Sequence, residues 1–163
     1  MSETFKDTPL SEVVLRRYEK PESINDRELI KKFMLSIGLL QPGDSRDVVV
    51  DIFHVLLENS KSENELSSED IVKKTIEFRT NQSLKMKGIA SSNIRRQLKR
   101  LRELMLIEKK ANKYRISEYM KISEIFEHKL ETYYIKNIIN RVKEYACEID
   151  KRFYFERPKT NAS

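Results

Sequence analysis

Along its length the chain sets apolar stripes at helical spacing between short polar breaks. The first stripe is Leu10, Val13, Val14 and Tyr18. Thr8-Pro9 precedes it, a hydroxyl cap before a proline at the first helical position, so a helix is predicted to about Glu19, where Lys20-Pro21-Glu22-Ser23 ends it. Asn25 followed by Glu28 reads as a capping box for a second helix. Its stripe is Leu29, Ile30, Phe33, Met34 and Ile37, and Gly38 is its stop. After the turn Pro42-Gly43-Asp44, either Asp44 or Ser45 is placed to cap a third helix, about Arg46–Asn59, whose core side carries Val49, Ile52, Phe53, Leu56 and Leu57. Ser60 to Glu65 is polar. Leu66 allows a token strand, and Ser67 with Asp70 forms the next cap. Ile71, Val72, Thr75, Ile76 and Phe78 carry that helix to about Arg79, and Thr80 to Lys87 is a loop.

Gly88 to Ile116 joins a short basic helix to a short β-hairpin. The helix is expected to start near Ser91 or Ser92, with Ile94, Leu98, Leu101 and Met105 on its inward stripe. At 100° per residue, Ser92, Arg96, Lys99, Arg100 and Glu103 face the other way, flanked by Asn93 and Arg95. Leu106-Ile107-Glu108-Lys109-Lys110 and Tyr114-Arg115-Ile116 are β-competent runs on either side of Ala111-Asn112-Lys113. Asn tolerates positive φ, so this is a tight hairpin.

Charge sharpens the picture. Lys85 to Arg115 holds eleven basic residues and two acidic ones, a local excess of nine in a chain whose total is +6, so the remainder sums to about −3. The excess therefore belongs to one helix, one hairpin and the loop before them.

Ile89-Ala90-Ser91-Ser92-Asn93-Ile94, then Leu98 and Leu101, then Leu104-Met105-Leu106-Ile107-Glu108-Lys109 resemble the recognition helix and wing of the winged-helix family, particularly its archaeal-type members. The resemblance covers about Asp44 to Ser117. It implies a mainly α fold whose second helix buttresses a DNA-recognition helix. The link from Arg79 to Ser91 is longer than the usual three or four residues, and Met105 stands where the family often has Gly. Double-stranded DNA is the implied partner. Its candidate contacts are Ser92, Asn93, Arg95, Arg96, Lys99 and Arg100 on the helix, Lys110, Asn112 and Lys113 on the wing, and Lys85 and Lys87 in the loop. Cations neutralise phosphates and release counterions; Arg suits guanine edges and Asn suits adenine.

Beyond the hairpin, Ser117 or Ser123 can cap a long helical pattern to about Phe153, through Ile122, Phe126, Leu130, Tyr134, Ile138, Val142, Tyr145 and Ile149. Its later steps approach a heptad. A break near Leu130–Tyr133 would make two helices of one. Unbroken, such a helix would extend roughly 54 Å, too long to lie wholly against a small domain, so homodimerisation through it is favoured. The expected division is an N-terminal helical extension (1–43), a winged helix (44–117), a long C-terminal helix (118–155) and a disordered tail (156–163).

Composition removes other classes. With 163 residues, 36% charged and three Gly, the chain fits a mostly helical domain and lacks Gly-rich phosphate loops. The abundance of Lys, Glu and Ile hints at a thermophile. There is no membrane-length apolar run and no signal-peptide core. One cysteine, Cys147, fits a reducing cytoplasm. His54 reads as structural, His128 as solvated, Cys147 as a helix-surface residue, and Glu69-Asp70 as helix capping. No metal, cofactor or catalytic set is expected. A ligand pocket lined by Tyr133, Tyr134 and Tyr145 is the least favoured reading. The leading expectation is a dimeric, DNA-binding transcriptional regulator; the alternative is a winged-helix interaction module of a larger nucleic-acid-associated complex.

Overall fold

The computed structural model describes residues 6–154 and is mainly helical, with one small antiparallel sheet. The elements are α1 (Asp26–Ser36), α2 (Val48–Ser60), β1 (Leu66–Ser67), α3 (Ser68–Asn81), α4 (Ser91–Glu103), β2 (Ile107–Lys110) and β3 (Lys113–Ile116). A 3₁₀ turn (Ser117–Tyr119) follows. Then α5 (Ile122–Ile125) runs through a π-helical stretch (Phe126–Ile135) into α6 (Lys136–Phe153). The expected tail, 156–163, lies outside the described residues.

The predicted first helix, Leu10 to Glu19, does not form; that segment is irregular. A helix of ten residues is marginal alone, and tertiary bonds claim this backbone instead. The Arg16 amide donates to the Ser36 carbonyl at 2.8 Å. Its guanidinium donates to the carbonyls of Leu35 and Leu40 and to Gln41 Oε1, at 2.8, 3.2 and 2.8 Å. Val14 crosses Gly38 so closely that a Cβ there would sit 2.8 Å from Val14 Cβ, at a φ of +76°.

Asn25 caps α1, accepting from the Glu28 amide, but the return bond from the Asn25 amide to the Glu28 side chain that would complete the expected capping box does not form. Neither Asp44 nor Ser45 caps α2. Asp44 closes a turn onto the Arg46 amide at 2.9 Å, and α2 begins after Asp47. The Asp47 carboxylate is engaged elsewhere. With the fully buried Asp51 it faces Arg27 from α1 and Arg79 from α3. Arg27 Nε lies 2.8 Å from Asp51 and its Nη2 lies 2.9 Å from Asp47. Arg79 pairs with Asp51 and, at 3.2 Å, with Asp47, while its Nε donates to the Lys85 carbonyl at 3.0 Å. Burial raises the Asp47 pKa, but hydrogen bonds and charge from Arg27 and Arg79 prevail and hold it below the usual aspartate value.

Ser67 and Asp70 form the predicted capping box. Leu66 pairs with Tyr114 and Ser67 with Lys113, so the sheet order is β1-β3-β2. Around one apolar core, Ile52, Phe53 and Leu56 of α2 meet Ile71 of α3 and Ile94, Leu98 and Leu101 of α4, all nearly or wholly buried. The turn of the hairpin is Ala111-Asn112, with φ of 46° and 61°, the two positive values of a type I′ turn.

Neither Ser117 nor Ser123 caps the last helix. The Ser117 hydroxyl donates to the Met105 carbonyl at 2.7 Å, and the helix starts after Lys121. No break occurs at Leu130–Tyr133. The chain slips into i→i+5 bonding there instead. Lys136 N–H donates to the Glu131 carbonyl, and Thr132 Oγ1 donates to the Glu127 carbonyl at 2.7 Å. The buried positions are accordingly Ile125, Leu130 and Ile135, five apart, rather than the predicted series at steps of four. From Lys136 to Phe153 no side chain is buried.

Two outcomes follow. Arg79→Met leaves Asp51 buried with one cation fewer and is expected to cost about 3–5 kcal/mol in chemical denaturation. Replacing Ala111-Asn112 by Asn-Gly relieves left-handed strain and is expected to stabilise by about 1 kcal/mol, read as a rise in Tm.

Candidate nucleic-acid interface

Helix α4 is the centre of the basic segment. Neither Ser91 nor Ser92 is its cap: Ala90 is, and no side chain caps the first turn. At the other end Met105 takes φ 59°, the Met105 amide donates to the Arg102 carbonyl and the Leu106 amide to the Leu101 carbonyl. That is a Schellman closure without the usual glycine. Burial of Leu106 and Leu101 opposes the cost of a methionine in the left-handed region, roughly 1–2 kcal/mol.

One flank of α4 is not available to a ligand. Asn93 Nδ2 donates to the Gly88 carbonyl at 2.7 Å, and Gln97 Nε2 donates to Asn93 Oδ1 at 3.3 Å. Arg100 donates to Gln97 Oε1 at 2.9 Å and to the Gly38 carbonyl at 3.4 Å. This row ties the turn before the helix, the helix, and the end of α1 together. Gly88 sits at φ +78°, and a Cβ there would come within 3.0 Å of Asn93 Nδ2. Asn93 and Arg100, candidate base readers by sequence, are thus half-buried structural links.

The opposite flank is open. Ser92, Arg95, Arg96, Lys99 and Arg102 are exposed. Lys99 approaches Glu103 only at 4.0 Å, and Arg95, Arg96 and Arg102 have no ion pair among the described residues. In the hairpin, Lys110, Asn112 and Lys113 are exposed at the turn, and Lys85 and Lys87 are exposed in the loop before α4. Lys109 Nζ lies 5.4 Å from the centre of the Tyr114 ring, a cation–π contact. Arg115 differs from its basic neighbours. It pairs with Glu108 at 2.6 Å and Glu65 at 3.3 Å and lies over Tyr119 at 4.7 Å.

Helix and hairpin meet beside the start of α3. Hydrogen bonds from its own backbone and from Ser68 lower the Glu69 pKa, and the charge of Arg95 lowers it further. Bonds from Ser67 lower the Asp70 pKa, with Lys73 and Lys113 adding to the effect. Arg95 of α4 and Lys113 of the hairpin therefore flank the same helix end. A groove of about 500 Å³ between α4, the hairpin and the last helix is lined by Arg102, Lys109 and Lys129, with Glu103 and Glu108 beside them and Lys129 paired to Glu118 at 3.2 Å. Sequence reasoning left Lys129 and the linking role of Gln97 unassigned. Lys129 lies far away in sequence, and a glutamine on a helix flank carries no motif.

The remaining candidates stay dispersed. His54 packs its ring against Phe78 at 4.7 Å, with Nδ1 buried and Nε2 3.6 Å from Glu58. His128 and Cys147 are exposed. Tyr133 and Tyr145 are exposed, and Tyr134 donates to the Glu12 carbonyl at 2.6 Å, so the three tyrosines enclose no pocket. Among the described residues no group of three or more His, Cys, Asp or Glu side chains could hold a metal, and no helix is long and apolar enough to cross a membrane. The chain matches no protein-family model, no curated protein sequence and no solved structure.

Asn93→Ala is expected to lower stability by about 1 kcal/mol, as a lost side-chain tether does. Thermal unfolding reads the loss, and the salt dependence of binding to a random duplex should stay unchanged. A reduced salt slope at full stability would instead return Asn93 to the contact surface.

Proposed function

We propose that this chain is a winged-helix protein that binds duplex DNA through α4 and the β2–β3 hairpin, acting as a homodimeric transcriptional regulator. Two things support the fold reading: the order α2, β1, α3, α4, β2, β3, and a sheet in which the hairpin strand β3 pairs with β1. The observation that carries the functional reading is the open flank of α4. Arg95, Arg96 and Arg102 stand there without an ion pair among the described residues, and Lys113 of the hairpin flanks the same end of α3 as Arg95. A purely structural basic helix would be expected to pair its cations with the many available carboxylates. Arg115 does so one strand away.

With Asn93 and Arg100 committed to the fold, phosphate contact outweighs base readout in this reading. Ser92, Arg95 and Arg96 are the side chains left to reach base edges in a major groove. Lys110, Asn112 and Lys113 would meet the adjacent backbone, and Lys85 and Lys87 the flanking phosphates. The dimer half of the proposal rests on α6, none of whose side chains is fully buried against the described residues.

The test is the affinity for a random duplex and for the duplex upstream of the protein's own gene, from roughly 50 to 200 mM salt. Wild type should bind with a steep salt slope. Lys110→Ala/Lys113→Ala should bind more weakly, with the slope reduced by about 2, close to one unit per phosphate contact. Lys20→Ala/Lys31→Ala, remote from α4 in sequence, should leave the slope unchanged. Absence of binding even at the lowest salt would refute DNA contact. Sequence-indifferent binding together with a stable foreign subunit would favour the interaction-module alternative.

A further inference from the structure

Helix α6 projects about 27 Å beyond Ile135, the last buried residue among those described. Its apolar side chains stand open: Ile139, Val142, Ile149 and Phe153 are 47, 63, 57 and 74% exposed. Ile135, Ile139, Val142, Ala146, Ile149 and Phe153 follow one another at steps of four, three, four, three and four, an unbroken a/d heptad series. A strict a/d seam is the signature of a helix packed along one other helix.

We infer that the occupant of this seam is α6 of a second copy, packed antiparallel, with the two-fold axis between Val142 and Ala146. The inference deepens the dimer half of the proposed function and does not depend on DNA contact. Three observations favour this partner and this direction.

The first is size matching. Antiparallel packing in this register sets Phe153 opposite Ile135, Ile149 opposite Ile139, and Ala146 opposite Val142. A parallel pair would set Ala146 against Ala146 and leave a gap at the centre of the seam. The second is charge. Lys136, Lys143 and Asp150 occupy the e positions, and none has an ion pair among the described residues, although Arg141 and Lys151 on the outer face are both paired. The antiparallel register brings Lys136 of each copy to Asp150 of the other, twice by symmetry. Lys143 meets its own copy at the axis, where solvent screens the repulsion. The parallel register puts Ile138 beside Lys143 and Tyr145 beside Asp150, and forms no ion pair. The third is a receptor for the helix end. A groove of about 500 Å³ at the root of α6 is lined by Leu15, Phe126, Thr132, Ile135 and Ile139. The antiparallel register delivers the partner's Phe153 to that groove.

Oxidative cross-linking without DNA tests the direction, in a Cys147→Ser background that removes the native thiol. Ile139→Cys and Ile149→Cys are each oxidised alone and then as a mixture, and sedimentation equilibrium of wild type gives the oligomeric state. The antiparallel pair places position 139 level with 149 of the other copy and about 15 Å from its own counterpart. The expected result is a dimeric wild type, a disulfide-linked heterodimer in the mixture, and little cross-linked species from either variant alone. Cross-linking of each variant with itself means a parallel pair and overturns the direction. A dimer that cross-links at neither position overturns the seam. A monomeric wild type overturns the dimer itself, while the salt-slope experiment still reports on DNA contact.

Discussion

The carboxylates of Asp47 and Asp51 and the guanidinium groups of Arg27 and Arg79 form the joint from which the rest of the molecule hangs. Four charged groups with little or no exposure stay together because each hydrogen bond replaces water that burial has removed. Arg27 brings α1 to the start of α2. Arg79 brings the end of α3 to the same place, and the Lys85 carbonyl fixes the loop leading into α4. A hydrophobic cluster of equal size would hold these helices together without specifying how far each slides along its neighbour. The ion network does specify it, because a shift of one helical turn would strand a charge in the interior. The longer connection between α3 and α4 is thereby anchored partway along its length.

A second polar device continues where this one ends. Asn93, Gln97 and Arg100 carry hydrogen bonds from Gly88 to Gly38 along one flank of α4. The helix thus has three kinds of surface: an apolar stripe in the core, a polar flank bound to the body, and a cationic flank facing outward. Rigidity on two sides costs the third nothing. A rigid platform of cations loses less side-chain and backbone freedom on meeting a polyanion than a mobile loop of equal charge would.

Much of this was legible in the sequence. The elements from Asn25 to Ile116 follow from local signals, the Asn25 cap, the Ser67–Asp70 box, the stripe Ile94-Leu98-Leu101 and the Asn112 turn, although the caps expected at Asp44 or Ser45 and at Ser91 or Ser92 do not form. The misread elements are those decided by long-range contacts. Thr8-Pro9 and the following stripe satisfy every helix rule, yet the Arg16 backbone is claimed by Ser36 and its side chain by Leu35, Leu40 and Gln41. The same holds for the site. A helical wheel separates inward from outward positions, so Arg95, Arg96 and Lys99 were recoverable. It cannot tell an outward residue from one bonded sideways to a distant carbonyl, which is why Asn93 and Arg100 looked equivalent to the others.

The π-helical stretch from Phe126 to Ile135 resets which face of the helix meets the body. Each wider turn uses an extra residue, so the faces of the helix fall progressively behind the phase an α-helix would keep. Ile125, Leu130 and Ile135 thereby all point at the body, and the stripe that begins at Ile135 and Ile139 leaves it from a bearing those turns have set. The stretch works like the keyway of a shaft, transmitting the orientation of the core to an arm that meets the body only at its root. Removal of a single residue there would rotate the whole arm by about 100° while leaving both its sequence and the body intact.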